Sequence, residues 1–337
     1  MKGFNIIILA AGKGERMMSK KPKVMHEIMG KPMIGYVVER AKDLKPISIT
    51  AVTGYGRDKV ETFLAQYNIN YSVQTEQKGT AHAVLTAKRL IDNNDLLILY
   101  GDVPLIESST LEDFIDFYRK FNNITFMTTS VNDPTGYGRV FLEGDNIKYI
   151  IEDADAKPEE KKIKEINTGI CIIPEKHLSL IEKIGCNNKK GEFYLTDICK
   201  VARESNIAVK GYHYDKPLEV LGVNGKKELL EANQTMKNKI IDFHIRKGVT
   251  FIDRNVYIET DVSIGNDCVI YPNVYIGGNT EIGEDVFIGP NTIIKDSIIK
   301  NKVNIGGFCY IDGVKLKEET IIAPFSNLSN QICPRST

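Results

Sequence analysis

From Ile252 onward isoleucine returns every six residues, at Ile252, Ile258, Ile264, Ile270, Ile276, Ile282, Ile288 and Ile294. An α-helix repeats at about 3.6 residues and a strand at about two, so neither explains the series. A triangular parallel β-helix does, because each six-residue side sends one isoleucine inward. Four residues beyond most of these isoleucines stands a small or β-branched residue (Val256, Val262, Cys268, Val274, Thr280, Val286), and glycine follows the isoleucine at 265, 277, 283 and 289. The register slips once near Lys295–Ile299 and resumes at Ile305 and Ile311. Residues 249–337 therefore read as hexapeptide-repeat β-helix.

The first two-thirds has a different grammar. Apolar runs at Ile6–Leu9, Ile47–Val52, Leu96–Tyr100, Thr125–Val131 and Ile170–Ile173 alternate with helical patterns. Runs apolar on both alternating faces predict a mostly parallel α/β sheet covered on both sides, with ligands at the carboxyl ends of its strands. That domain spans 1–224. Between the halves, 225–248 carries Leu229, Ala232, Met236, Ile240 and Phe243 at helical spacing and closes on Gly248. It predicts an amphipathic arm, packed either on its own sheet domain or along a seam between subunits.

With 44 basic and 44 acidic side chains the formal charge is zero. This balance excludes a general nucleic-acid or membrane-surface binder, so any basic cluster must answer a local anion. The cysteines (Cys171, Cys186, Cys199, Cys268, Cys309, Cys333) are scattered, without a C-x-x-C pair or zinc spacing. With no secretory leader and no apolar run of spanning length, the expectation is a cytoplasmic enzyme with reduced thiols.

A basic cluster of that kind follows the first strand. LAAGKGERMMSKKPKV (9–24) packs Lys13, Arg16, Lys20, Lys21 and Lys23 around Gly12 and Gly14. A Rossmann fingerprint would need glycine at position 17, which is Met17, and a P-loop would need Ser or Thr after Gly12-Lys13, which is Gly14. Backbone N–H groups at Gly12 and Gly14 can cradle phosphate oxygens, with Arg16 and Lys23 adding charge. Taken alone, a tight turn followed by a solvated basic face explains the loop equally well. Asp102 decides between them: Leu96–Tyr100 runs directly into Gly101-Asp102, where an α/β enzyme would hold Mg²⁺ by one carboxylate plus phosphate oxygens and Gly101 leaves room for a sugar or phosphate. A bland alternative for Asp102 is a helix N-cap.

LAAGKGERM followed by PKV resembles the signature of sugar-nucleotide pyrophosphorylases. QTEQKGTAHA (74–83), YGDVPL (100–105), DPTGYGRV (133–140), EINTGI (165–170), GEFYLTD (191–197) and LEVLGVN (218–224) are similar, in order and spacing, to the N-acetylglucosamine-1-phosphate uridylyltransferase family. The resemblance covers essentially the whole chain. It implies a Rossmann-like nucleotidyltransferase domain, a helical arm and a left-handed β-helix, making UDP-N-acetylglucosamine for cell-envelope precursors. It also implies site residues. Leu9, Ala10 and Ala11 would contact the nucleotide, and Gly12, Gly14, Arg16 and Lys23 would hold the UTP triphosphate, with Arg16 and Lys23 catalytic. Gln74 would read uracil beside Gly79 and Thr80. Tyr100, Gly101, Gly138, Glu152 and Asn167 would bind N-acetylglucosamine 1-phosphate, and Asp102 and Asn224 would hold Mg²⁺.

The chemistry needs no general base, since a sugar phosphate with a second pKa near ~6 is already a nucleophilic anion at neutral pH. His26, His82, His177, His213 and His244 accordingly need no catalytic role, and His82, although within QTEQKGTAHA, is read as structural. Two positions depart from the family pattern: Glu15, whose side chain should face outward, and Gly225, where a second Asn is common. Bifunctional relatives carry an acetyl-transferring site in a longer β-helix. No histidine follows His244, and Asn327 and Ser329, within Pro324–Asn330, stand where arginines are expected, so acetyl transfer is expected to be absent. The β-helix then implies a homotrimer. Rival readings are a pyrophosphorylase for another sugar 1-phosphate, a non-catalytic scaffold of the same fold, and an acyltransferase acting through the β-helix.

Overall fold

A buried strand must pair every backbone N–H and C=O it takes out of water, and the apolar runs do so in one large sheet. The computed structural model describes residues 3–91 and 94–329. The sheet comprises β1 (Phe4–Leu9), β2 (Ser48–Thr53), β3 (Asn70–Val73), β4 (Asp95–Tyr100), β5 (Ile124–Ser130), β6 (Arg139–Glu143), β7 (Asn146–Ile151), β8 (Glu165–Ile173) and β9 (Val209–His213), in the order β3-β2-β1-β4-β8-β5-β9-β7-β6. Its strands are parallel from β3 to β4, and β5 and β9 share that pairing sense. β8, by contrast, is antiparallel to both β4 and β5. The sheet is therefore mixed, and the hairpin β6–β7 was not legible as an apolar run because its outer residues are exposed.

The unbroken apolar runs have the physical reason expected of them. Ile6 and Ile8 enter the core on one face with Leu97 and Leu99, beneath α1 (Met33–Asp43), α2 (Arg57–Leu64) and a later helix, while Ile7, Leu96 and Ile98 enter the core of the other. There they meet Ala83 and Val84 of α3 (Thr80–Thr86). The first core is completed by Leu111, Phe114 and Tyr118 of α4 (Ser108–Phe121), the second by Ile198 and Ala202 of α5 (Ile198–Glu204). Each fully buried isoleucine contributes roughly 2 kcal/mol of transfer free energy.

The chain divides into two compact units. The first runs to His26 and from Pro32 to Leu229; the second takes Glu27–Lys31 together with Leu230 onward. The division falls inside the first turn of α6 (Lys226–Arg246). Within the second unit, α6 buries Ala232, Met236, Ile241 and His244, and Ile241 belongs to the β-helix core. The expected stripe was displaced: Phe243 is 45% exposed, and Ile240 is only partly buried against that core. Asn233 on α6 accepts the Met29 N–H at 3.1 Å, and Met29 in turn accepts from the Thr260 N–H at 3.0 Å, which fastens Glu27–Lys31 to this unit.

The β-helix stacks three parallel sheets of short strands. Ile264 pairs with Ile282 and Ile270 with Ile288, eighteen residues per coil. After Ile294 the coil shortens to seventeen, with Ile282 opposite Ile299 and Ile288 opposite Ile305. A second slip, not expected, follows Ile311, where the inward position passes to Leu316 opposite Ile299. Both slips fall between the same two sheets, and the coil from Ile311 keeps the seventeen-residue length of the one beneath it. Asn255, Asn273 and Asn291 form a side-chain hydrogen-bond ladder along one corner, where Asn273 and Asn291 take positive φ, a conformation asparagine tolerates.

Ile252 departs from the series. Phe251, not Ile252, pairs with Ile270, and Ile252 is 53% exposed. Its agreement in spacing was coincidental. Cys333, Asn330 and the remainder of 249–337 beyond Ser329 lie outside the described residues.

Two outcomes follow. Ile276→Ala should cost about 3 kcal/mol in urea unfolding, whereas Ile252→Ala should cost under about 0.5 kcal/mol. Equal costs would mean the register is misassigned. His244 is 3% exposed, its Nδ1 has no partner among the described residues, and burial, helped by Lys247, pushes its pKa down to about 4. The unfolded state therefore binds a proton that the folded state refuses, and this stability is lost as pH falls from about 6.5 towards 4. Between pH 7 and 5 the loss should be about 2 kcal/mol, and unfolding of His244→Gln should lack that component.

Candidate active site

The loop after β1 is shaped by a few forced choices. Gly14 has φ +68°, and a Cβ there would lie 2.5 Å from Lys23 Cβ, so only glycine lets the chain turn against Lys23. Met17, fully buried, anchors the first turn, and Pro22 leads into a short turn at Lys23–Met25. Around Gly12 the opposite holds: a Cβ there would meet nothing within 4 Å. No protein atom fills that space, which suits an approaching anion. Glu15 is held by Lys13 at 3.4 Å with its side chain 81% exposed, so its carboxylate stays outside.

β1, β3 and β4 deliver their carboxyl ends to one cavity of about 280 Å³. Leu9, Ala10, Ala11, Gly12, Lys23, Gln74, Gly79, Thr80, Tyr100 and Asp102 all line it. Val24, Gln77, Ala83 and Glu192 also line it and were missed; Gln77 and Ala83 sit inside QTEQKGTAHA, where the motif itself was the available signal.

At the cavity's charged end the Lys23 ammonium ion-pairs with Asp102 Oδ2 and donates to Asn224 Oδ1 at 3.1 Å. Two local bonds aim these oxygens. The Val223 N–H donates to the Asp102 carbonyl at 2.8 Å, and Asn224 Nδ2 donates to the Gly222 carbonyl at 3.1 Å, leaving Oδ1 to face the cation. A positive group already sits on a carboxylate and an amide oxygen. These are hard oxygen donors of the kind Mg²⁺ accepts alongside phosphate oxygens, so the residues fit such an ion. Among the described residues no cluster of three His, Cys, Asp or Glu offers an alternative.

The sugar-site candidates form a neighbouring group. Because β8 is antiparallel, Cys171 lies opposite Ile98 and the strand's first residues pass beyond the carboxyl end of β4. Gly169, at φ +89°, gives way to the Tyr100 ring, which a Cβ would meet at 2.6 Å. The Asn167 N–H donates to the Gly138 carbonyl at 2.8 Å, and a Cβ on Gly138 would lie 3.3 Å from Glu152 Oε1. Thr196 donates its hydroxyl to Glu152 at 2.9 Å. Burial raises the Glu152 carboxyl above its usual range, the Thr196 bond opposing it, and burial likewise raises the Tyr100 phenol. Tyr100 is the link between this group and the cavity.

Not every candidate converges. Arg16 is exposed and lies outside the cavity lining, its guanidinium near Gly136. Gly101 does not line the cavity either; the space beside it is taken by Val24 and Ile34, so it serves close packing rather than ligand room.

Gln74 is 3% exposed and unusually constrained. Its Nε2 lies 3.0 Å from the Gly79 carbonyl and 3.0 Å from His82 Nδ1. Gly79 is at φ +106°, with its hypothetical Cβ 2.5 Å from the Phe193 carbonyl, and that carbonyl accepts the Ala81 N–H at 2.9 Å. Thr80 Oγ1 accepts the Leu195 N–H at 2.9 Å. GEFYLTD thus clamps the segment that carries Gln74's partners.

A nucleotidyl transferase family model matches residues 5–216, and a model of bacterial transferase hexapeptide repeats matches 249–278 and 261–296. The bifunctional protein GlmU of Clostridioides difficile is 41% identical over 332 residues, covering 96% of this chain and 72% of that protein. The Burkholderia orbicola protein of the same name is 38% identical, with the same coverage. Among solved structures, a UDP-glucose pyrophosphorylase complexed with UDP-glucose superposes with a TM-score of 0.58 at 21% identity, over 71% of this chain and 100% of that one, a likeness of fold. The chain belongs to the nucleotidyl transferase family and is a nucleotidyltransferase of the GlmU type, joined to hexapeptide repeats.

Proposed function

We propose that this enzyme transfers the uridylyl group of UTP to N-acetylglucosamine 1-phosphate, releasing pyrophosphate and forming UDP-N-acetylglucosamine for envelope precursors. The observation that carries the reading is the single cavity shared by Leu9–Gly12, Lys23, Gln74, Gly79, Thr80, Tyr100 and Asp102, in a chain of the GlmU type. Gln74 with Gly79 and Thr80 would take the uracil, and Leu9–Gly12 with Gly14 and Lys23 the phosphates. Tyr100, Gly138, Glu152 and Asn167 would take the sugar.

A phosphate oxygen of the sugar 1-phosphate, already anionic at neutral pH, forms a bond to the α-phosphorus of UTP. The bond from that phosphorus to the bridging oxygen of the β-phosphate breaks, and pyrophosphate leaves with the electron pair. No proton needs to move. Two anions must instead be held together, and Lys23 lies where it can neutralise phosphate oxygens, with exposed Arg16 able to fold over the triphosphate. Asp102 and Asn224 would hold Mg²⁺, which when bound neutralises charge on the phosphates.

We read no acetyl-transferring site in these residues: Asn327 and Ser329 supply no basic side chain. For the β-helix we propose a homotrimer, supported by its hexapeptide repeats and by exposed Ile293, Phe308, Tyr310, Ile321 and Phe325. A sedimentation mass of one protomer would contradict it. Among the described residues no helix is long and apolar enough to cross a membrane; a cytoplasmic location is part of the proposal.

Mg²⁺-dependent pyrophosphate release across a grid of nucleoside triphosphates and sugar 1-phosphates tests the reading. Release largely confined to UTP with N-acetylglucosamine 1-phosphate is expected. A preference for glucose 1-phosphate or N-acetylgalactosamine 1-phosphate would transfer the sugar assignment, and no release from folded protein would favour a scaffold. Asp102→Ala should lower turnover by at least about 100-fold.

The Lys23–Asp102 pair, with side chains 17% and 10% exposed, makes a separate prediction. Lys23→Met leaves a buried carboxylate without its partner and should cost about 3 kcal/mol. Lys23→Met/Asp102→Asn should recover most of that, as should millimolar Mg²⁺ added to the single variant. Thermal denaturation unchanged by either would mean the pair carries no stability.

A further inference from the structure

His82 was read as structural and has no part in the chemistry above, yet its ring meets the side chain assigned to the base. The deduction rests on which atoms can donate. The Gly79 carbonyl can only accept, so the Gln74 atom 3.0 Å from it must be the amide nitrogen, not the oxygen. That same nitrogen lies 3.0 Å from His82 Nδ1. With Nε2 donating one hydrogen to Gly79 and the other to the ring, Nδ1 must be the unprotonated nitrogen, and the imidazole hydrogen must lie on Nε2. Both hydrogens of the Gln74 amide are then consumed. What remains is Oε1, an acceptor with no protein donor on it among the described residues, on a side chain that lines the cavity.

We propose that His82 is a specificity-determining positioning residue: it locks the Gln74 amide so that only an acceptor faces the base, selecting pyrimidines whose N3 carries a hydrogen. Uracil offers N3–H as a donor, whereas cytosine offers N3 as an acceptor and would face Oε1 lone pair to lone pair. Without His82 the amide loses one of its two anchors, and rotation by half a turn would present Nε2 instead. The remaining Gly79 bond opposes that rotation but is a single neutral hydrogen bond, whereas a site built to pair a substrate group rejects the unpaired analogue strongly. The selection rests on the uridylyl-transfer reading; the tautomer and the amide lock do not.

Two substitutions separate a hydrogen-bonding role from a packing one. Asn places a carbonyl oxygen at the position of Nδ1, whereas Ala removes the acceptor. His82→Ala should lower the UTP-to-CTP ratio of kcat/KM by at least about tenfold, mostly through KM for UTP. His82→Asn should recover the ratio to within about threefold. An unchanged ratio in His82→Ala, or equal losses in both variants with kcat falling as much as kcat/KM, would overturn the proposal.

Nitrogen-15 NMR of the nucleotide-free protein at pH 8 supplies a measurement independent of substrate. It should show His82 with the pyridine-type shift on Nδ1 and the proton on Nε2. A proton on Nδ1 would overturn the lock whatever the enzyme transfers. Wild-type protein indifferent to UTP but with the expected tautomer would instead sink the uridylyl reading and the selection while leaving the lock in place.

Discussion

The ammonium of Lys23, seated on Asp102 and Asn224, ties together three segments separated by 79 and 201 residues in the chain. Each partner is positioned by its own local geometry: Lys23 by the turn that Gly14 permits, Asp102 by the end of β4, and Asn224 by the bonds at Gly222 and Val223. A cation held between oxygens at the mouth of a cavity has a double consequence. It ties the three segments together before any ligand arrives, and it reserves for positive charge the place where the proposed reaction puts the polyphosphate.

The rest of the site is arranged around this point by strand direction. Parallel strands end together, so β1, β3 and β4 supply the loop, Gln74 and Asp102 to one side of the sheet. One antiparallel strand then brings its beginning, with Asn167, to that same side. The contact of Gly169 with Tyr100 joins the two groups, because any side chain at 169 would displace the ring. Both a nucleotide and a sugar can thus be served by the ends of neighbouring strands.

Much of this was legible before the structure. The six-residue isoleucine period identified the β-helix because inward positions must be apolar at every coil, and Ile258 through Ile294 are nearly all fully buried. It also misled at Ile252, where spacing continued by coincidence after the pairing had shifted, and it gave no warning of the slip at Leu316. The antiparallel sense of β8 was invisible, since a strand apolar on both faces reads the same in either direction. The arm's buried face was misplaced because its core partner lies on the β-helix rather than in the sheet domain, and Ile240 and Ile241 are both apolar. Motifs gathered most cavity residues but could not separate Gly12, which faces open space, from Gly101, which is packed. Nor could a motif say that His82 shares an amide with Gln74.

The most direct test of the central claim is the crystal structure with UDP-N-acetylglucosamine and Mn²⁺, read by anomalous scattering. The account predicts a metal peak between Asp102 and Asn224, Lys23 moved from Asp102 onto phosphate oxygens, and uracil N3 against Gln74 Oε1. Metal bound elsewhere, with Lys23 still on Asp102 and the base away from Gln74, would contradict it.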